Sequence, residues 1–232
     1  FTMLNLMQSA VKFQQDGYHD QTQSIFATAQ LGWKSKLYLD VTGRVDWSSA
    51  LAWTDTKSVA YPSVGVSAIL TELLPIKNNV LTFLKVRGSY SEVGNAPTRY
   101  IAYQTYPYES ASPVTATTYP NTDIKPERTK AWEVGLQSHL WNDKLELNVS
   151  LYKTSTYNQL FNPSISASSG YSSIYINGGQ VDNKGIEASL TLNQPLGPVQ
   201  WNSTFTYTIN RNKIKKLLKP TTLSNGEVVK QD

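Results

Sequence analysis

Apolar and polar residues alternate almost without interruption along four stretches of the chain. Leu37, Leu39, Val41, Gly43 and Val45 are interleaved with Lys36, Tyr38, Asp40, Thr42 and Arg44. Leu145, Leu147, Val149 and Leu151 are interleaved with Lys144, Glu146, Asn148, Ser150 and Tyr152, and the same period of two runs through 186–193 and 201–210. Successive strand side chains point to opposite faces, so each stretch is apolar on one side and hydrophilic on the other. Each is near the ~9–11 residues with which a tilted strand crosses a bilayer, and such strands in series form the wall of a transmembrane β-barrel. A soluble sandwich also alternates, but its inner faces carry more Val, Ile and Leu than the thin rows found here.

The pattern predicts eight antiparallel strands, at about 23–33, 36–47, 61–70, 81–93, 129–140, 144–160, 184–193 and 199–213. Pro62, near the start of the third, is tolerable only at a strand start or edge. The connections differ by side. Lys34 and Ser35, Asn142 and Asp143, and Gly197 and Pro198 make tight turns, with an intermediate link at 71–79. On the other side, 48–60, 94–124 and 162–180 are long and irregular, and loops of that length are uncommon unless functional. Outer-membrane barrels show this asymmetry, with short periplasmic turns and long extracellular loops. The fold class expected is therefore all-β, a segment of a large transmembrane barrel.

Composition changes this picture little. The hydrophobic fraction is 40% with no run of 18 apolar residues, which excludes a transmembrane helix but not a barrel. Fourteen Tyr and six Trp suit interfacial girdles or sugar-stacking surfaces. The net charge of +4 has one cluster, Arg211, Lys213, Lys215, Lys216 and Lys219, which reads as a solvated strand end ahead of a phosphate or lipid-headgroup site. It is too short and too poor in aromatics for nucleic acid. Cysteine is absent. The start at Phe1 to Ala10 lacks the features of a signal peptide, so the chain reads as a fragment.

Catalytic signatures are missing. No dinucleotide fingerprint, phosphate loop or nucleophile elbow occurs. His19 and His139 have no neighbour at metal-ligand spacing. His139 shares a polar face with Glu133 and Gln137, and reads as a wall residue. Asp123 and Glu127 flank Pro126 at a strand entrance, which suits turn chemistry rather than glycoside hydrolysis. Neither an enzyme nor a cofactor is expected.

Five segments, in order, resemble the SusC/RagA-like family of TonB-dependent outer-membrane transporters. They are Gly43-Arg-Val-Asp-Trp-Ser-Ser49, Tyr61-Pro-Ser-Val-Gly-Val-Ser67 and Leu84-Lys-Val-Arg-Gly-Ser-Tyr-Ser-Glu-Val-Gly-Asn95, then two more specific ones. The latter are Ile124-Lys-Pro-Glu-Arg-Thr-Lys-Ala-Trp-Glu-Val-Gly-Leu136 and Asn177-Gly-Gly-Gln-Val-Asp-Asn-Lys-Gly-Ile-Glu-Ala-Ser-Leu190. The resemblance implies a 22-stranded barrel with an N-terminal plug. It also implies a SusD-like lipoprotein lid, and import of glycan oligomers or peptides powered by TonB–ExbB–ExbD across the outer membrane of a Bacteroidota-like cell. Residues 1–232 would then be part of the barrel, with the plug and closing strand outside this chain. Arg44, Asp46, Arg87 and Glu133 are expected on the polar face, against lumen or plug. Trp53, Tyr103, Tyr106, Tyr171 and Tyr175, in the long loops, can stack on sugar rings or pack their own loops or the lid. The rival readings are a soluble carbohydrate-binding module and a self-contained eight-stranded barrel.

Overall fold

A computed structural model describes residues 19–74, 76, 79–106, 108–109, 112–113, 115–217, 221–222 and 228–229. Phe1 to Ala10 and Lys219 of the basic cluster lie outside the described residues. Eight long strands account for most of the chain: β1 (Thr22–Trp33), β2 (Leu37–Ser48), β3 (Val59–Ile69), β4 (Leu81–Asn95), β5 (Glu127–Leu140), β6 (Leu145–Phe161), β7 (Ile176–Leu196) and β8 (Val199–Lys216). They form one antiparallel sheet in chain order, and β1 and β8 are its two edges. A single sheet removes the sandwich, which needs a second sheet over the apolar face. An open order from β1 to β8 likewise removes the small closed barrel.

Turn chemistry sets the hairpins. Lys34 and Ser35 have φ of 48° and 55°, Trp141, Asn142 and Asp143 have φ of 51°, 55° and 64°, and Gly197 has φ of 64°. Left-handed turn residues match the right-handed twist of the flanking strands, which is why such short loops close antiparallel pairs. Pro62 pairs with Gly43 of β2, but the ladder to β4 begins only at Ser63. The residue without an N–H therefore sits where β3 is still an edge on that side.

Two elements differ from the sequence pattern. The 71–79 link opens with a single helical turn, Leu70–Leu73. β7 begins at Ile176 rather than at 184. Gly178, Gly179 and Gln180 read as loop because they lack strand propensity. In the fold, Gly179 takes φ of 71° beside a bulge at Gln180 and Val181, and the ladder to β6 continues to Phe161.

The registers align the two faces across all eight strands. One apolar row runs Leu31, Leu39, Val66, Gly88, Val134, Leu151, Ile186 and Ile209. A second runs Trp33, Leu37, Ala68, Val86, Leu136, Val149, Ala188 and Tyr207. This face is open: Val134 is 61% exposed and Phe205 61%. An apolar face of that extent requires an apolar medium. The opposite face is polar and crowded. Gly135 lies opposite Arg87, where a Cβ would stand 2.6 Å from the Arg87 Nε, and Gly185 lies opposite Tyr152, where a Cβ would stand 2.6 Å from the ring. Glycine at both positions lets a long side chain lie flat across the neighbouring strand.

The face assignment predicts an asymmetry between adjacent residues of β6. In bilayers, Leu147→Arg should cost the full-length protein ~2–4 kcal/mol of folding free energy and Asn148→Arg much less. Equal losses, read from denaturant unfolding of the two variants, would contradict the assignment.

Candidate functional site

All the deeply buried apolar residues among those described lie at the long-loop end: Leu51, Val59, Ile101, Ala102, Ala116, Ile124, Ile174 and Ile176. The wall has no such core because it is one layer thick. The loops have one because they pack on each other, leaving Ile124 and Ile174 at 0% and 1% exposure. Ile174 and Ile176 anchor a cluster with Tyr119, Phe161 and Ile165.

Hydrogen bonds join the three loops. Thr118 and Tyr119 pair in parallel with Ser173 and Ile174. Asn121 donates from Nδ2 to the Tyr175 carbonyl at 2.9 Å, and Asp55 donates its N–H to the Thr122 carbonyl at 3.1 Å. The Asn177 amide carries the densest set. Its Oδ1 accepts from the Lys125 N–H at 2.6 Å, while Nδ2 donates to the Lys125 carbonyl at 2.7 Å and the Asn158 carbonyl at 2.8 Å. The two most specific sequence motifs are thus bound to each other. The 124–136 motif also locks its own strand entrance. Glu127 Oε1 accepts from the Leu160 N–H at 2.8 Å, Arg128 donates to the Ala60 carbonyl at 2.7 Å, and Pro126 is buried. Asp123 lies in the turn ahead of the strand as expected, whereas Glu127 is the first residue of β5 and binds across to β6 rather than within a turn.

The aromatic candidates divide into two groups. Trp53 and Tyr103 stack with ring centroids 4.8 Å apart, yet remain 59% and 52% exposed. Tyr106 is also exposed. A cavity of about 210 Å³ opens beside the pair, walled by Asp20, Trp53, Arg99 and Tyr100, with Arg99 bonded to Asp20 at 2.7 Å. Tyr171 and Tyr175 instead serve the cap. Tyr171 packs edge-on against Tyr119 at 5.1 Å and its hydroxyl accepts from Gln104 at 3.1 Å, while the Tyr175 carbonyl holds Asn121. Asn177 and the Arg99–Asp20 pair were not singled out from the sequence; the Asn-Gly-Gly run was the available signal for the first.

On the polar face the four charged candidates form two pairs. Arg44 donates from Nε to Asp46 at 2.7 Å and from its guanidinium to Ser24 at 3.0 Å. Arg87 donates to Glu133 at 3.2 Å and to Ser150 Oγ at 2.6 Å. A hollow of about 320 Å³ beside the second pair is lined by Ser89, Ser91, Glu133, Ser150, Tyr152 and Glu187. His139 sits next to last in β5 and bonds Asp143 of the short turn at 2.7 Å. No cluster of three or more metal-ligating side chains occurs among the described residues.

Residues 4–228 match the family described as TonB dependent receptor-like, beta-barrel. The chain is 29% identical over 225 residues to TonB-dependent receptor P3 of Formosa agariphila, covering 92% of this chain and 22% of that protein. It is 28% identical over 208 residues to TonB-dependent receptor P26 of the same organism, covering 85% and 21%. Among solved structures it resembles the RagAB peptide importer in its open-open state, with a TM-score of 0.77 at 24% identity over 89% of this chain and 24% of that one. It resembles the siderophore receptor PirA from Acinetobacter baumannii more distantly, with a TM-score of 0.56 at 18% identity over 86% and 29%. The chain spans about a fifth of the length of the curated relatives it matches.

The Asn177 geometry makes the cap testable. Asn177→Ala removes three hydrogen bonds to backbone groups of two other segments, at ~1 kcal/mol or more each. Amide exchange at 117–125 and 172–177 should accelerate by at least about tenfold while β5 and β6 keep their protection. Unchanged exchange would show that the apolar cluster alone holds the loops.

Proposed function

The chain belongs to the TonB-dependent receptor-like β-barrel family, and on that premise we propose that it supplies wall and mouth of an outer-membrane importer. Its cargo is an oligomeric nutrient, glycan or peptide. The observation that carries this reading is the union of a two-faced sheet with long loops packed into a cap at one end. Among the described residues the outer edges of β1 and β8 carry unpaired backbone groups, which hydrocarbon does not tolerate, so in a spanning wall further strands pair with both. A barrel of that size has a wide lumen and needs a plug. Import through a plugged barrel requires external work, supplied by the TonB–ExbB–ExbD complex acting on the plug. A SusD-like surface lipoprotein is the expected lid, a role supported by similarity to RagAB, which is described as a peptide importer.

Within this reading the residues take distinct parts. Arg44, Asp46, Arg87 and Glu133 line the wetted wall that faces the plug. Trp53 and Tyr103, stacked and open to solvent, offer a flat apolar platform for a sugar ring or an aromatic peptide side chain. Tyr106 stands in the same loop. Tyr171 and Tyr175 contribute by holding the mouth in shape.

Loop sidedness gives the first test. Ser168 lies in the exposed helical turn Ala167–Ser169 of a long loop, and Asn142 in a short turn. On intact cells, a membrane-impermeant thiol reagent should label Ser168→Cys in the full-length protein and spare Asn142→Cys. Equal labelling would discredit the membrane topology.

Uptake gives the second. Growth on the cognate glycan or peptide should stop on deletion of the gene, and equally on loss of TonB. Trp53→Ala combined with Tyr103→Ala should weaken uptake several-fold with the barrel still assembled. Uptake that survives loss of TonB would reject active import.

A further inference from the structure

On the outward face of β5 to β8 the apolar rows stop at one register level on the way to the long loops, whereas on β1 to β3 they run on through Ala29, Val41 and Val64. The last of them ends in Val134, Leu151, Ile186 and Ile209. The next outward residues, one register step nearer the loops, are Trp132, Lys153, Lys184 and Arg211, directly paired across β5, β6, β7 and β8. Tyr90 continues this row on β4, with its ring 4.3 Å from Trp132. One step further lie Glu92, Lys130, Ser155, Asp182 and Lys213. Glu92 is held by Lys130 at 3.3 Å, and Asp182 by Lys153 at 3.7 Å. Lys184 and Arg211 form no ion pair among the described residues and are exposed.

The row is one-sided. At the short-turn end the outward residues are Trp33, Leu37, Leu84, Leu140, Leu145 and Trp201, all uncharged. From Leu145 to Lys153 the eight residue steps, at ~3.3 Å each and a tilt of ~40°, rise ~20 Å along the membrane normal. Adding the aromatic girdles gives the ~25 Å apolar band of an outer-membrane barrel. The cations therefore stand at the interface, where a lipid-facing charge costs little, rather than in the midplane. Arg211 and Lys213 taken alone fit a solvated strand end. Such an end gives no reason for Lys130, Lys153 and Lys184 to gather beside it, within one register step, from three other strands.

We propose that this basic row is a docking site for the phosphate group of the outer-leaflet glycolipid, with Tyr90 and Trp132 flanking its acyl–headgroup boundary. The inference rests on the membrane-barrel reading above, which puts the long-loop end at the cell exterior. Ammonium and guanidinium groups at a membrane surface take anionic headgroups through charge-assisted hydrogen bonds. The excess of cation over carboxylate at this level, confined to the exterior side, selects a phosphorylated lipid of that leaflet.

The test uses the full-length protein, purified in detergent and examined by native mass spectrometry with added monophosphoryl lipid A. The comparison lipid is the same molecule after enzymatic removal of its phosphate. The wild type should retain the phosphorylated lipid, and the triple variant Lys153→Gln, Lys184→Gln, Arg211→Gln should retain at least about tenfold less. Lys34→Gln with Lys144→Gln, at the short-turn end, should leave retention unchanged. If the triple variant fails to assemble, Lys184→Gln alone should show a several-fold loss. Equal retention by wild type and the assembled variant would overturn the site. So would equal retention of the two lipids, or displacement of the lipid by equimolar inorganic phosphate. A wild-type protein that fails to fractionate with outer membranes would instead overturn the barrel reading on which the site depends.

Discussion

Inside hydrocarbon a backbone N–H or C=O has no water to bond, and each unsatisfied group costs several kcal/mol. Every spanning residue of this sheet is therefore committed to a neighbour's ladder, and much else follows from that commitment. The strands pair in chain order through tight left-handed turns, which keep the register of each hairpin fixed. Pro62 stands where the ladder to β4 has not begun. A one-residue slip would put Leu147 and Leu190 on the polar face and Asn148 and Ser189 in lipid, so the period of two protects the register as well as the solubility of each face.

The wall obtains no deep core from this arrangement, because one face meets lipid and the other a polar interior. The loops solve a different problem. Segments 96–126 and 162–175 are long and lie beyond the spanning strands, where a strand ladder is not enforced. They are fixed by burying Ile124, Ile174 and Ile176, at about 1.5–3 kcal/mol per side chain, and by the amide of Asn177. Fixing the loops is what allows Trp53 and Tyr103 to be presented as a paired surface instead of as two independent side chains.

The strands, their faces and the sidedness of the loops were legible because a period of two is a local signal that needs no knowledge of pairing. The family resembled by five motifs is the one that matches residues 4–228. The start of β7 was not legible, since Asn177, Gly178 and Gly179 have turn propensity and enter a strand only through the bulge and the ladder to Phe161. The loop core was invisible for a related reason: Ile101, Ile124 and Ile174 follow no period, and they meet only once three loops have converged. The same holds for the aromatics, where composition did not separate Tyr171 and Tyr175, which brace the cap, from Trp53 and Tyr103, which face solvent.

The polar face raises a last point of energetics. Arg44 with Asp46 and Arg87 with Glu133 are ion pairs whose side chains are partly accessible, and such pairs contribute between nothing and about 1 kcal/mol. Stability alone does not account for Gly135, which leaves room for Arg87 at the expense of strand propensity. Pairing does something else. It cancels each charge against a neighbour on the same face while keeping several hydrogen-bonding groups pointed inward: the two guanidinium groups, Ser89, Ser91, Ser150 and Tyr152. Around these two pairs the wall is hydrogen-bonding and locally neutral, while Lys85 and Glu187 on the same face form no ion pair among the described residues. Lys184 and Arg211, which also form no ion pair among the described residues, are instead displayed on the outward face, where the apolar rows of β5 to β8 end.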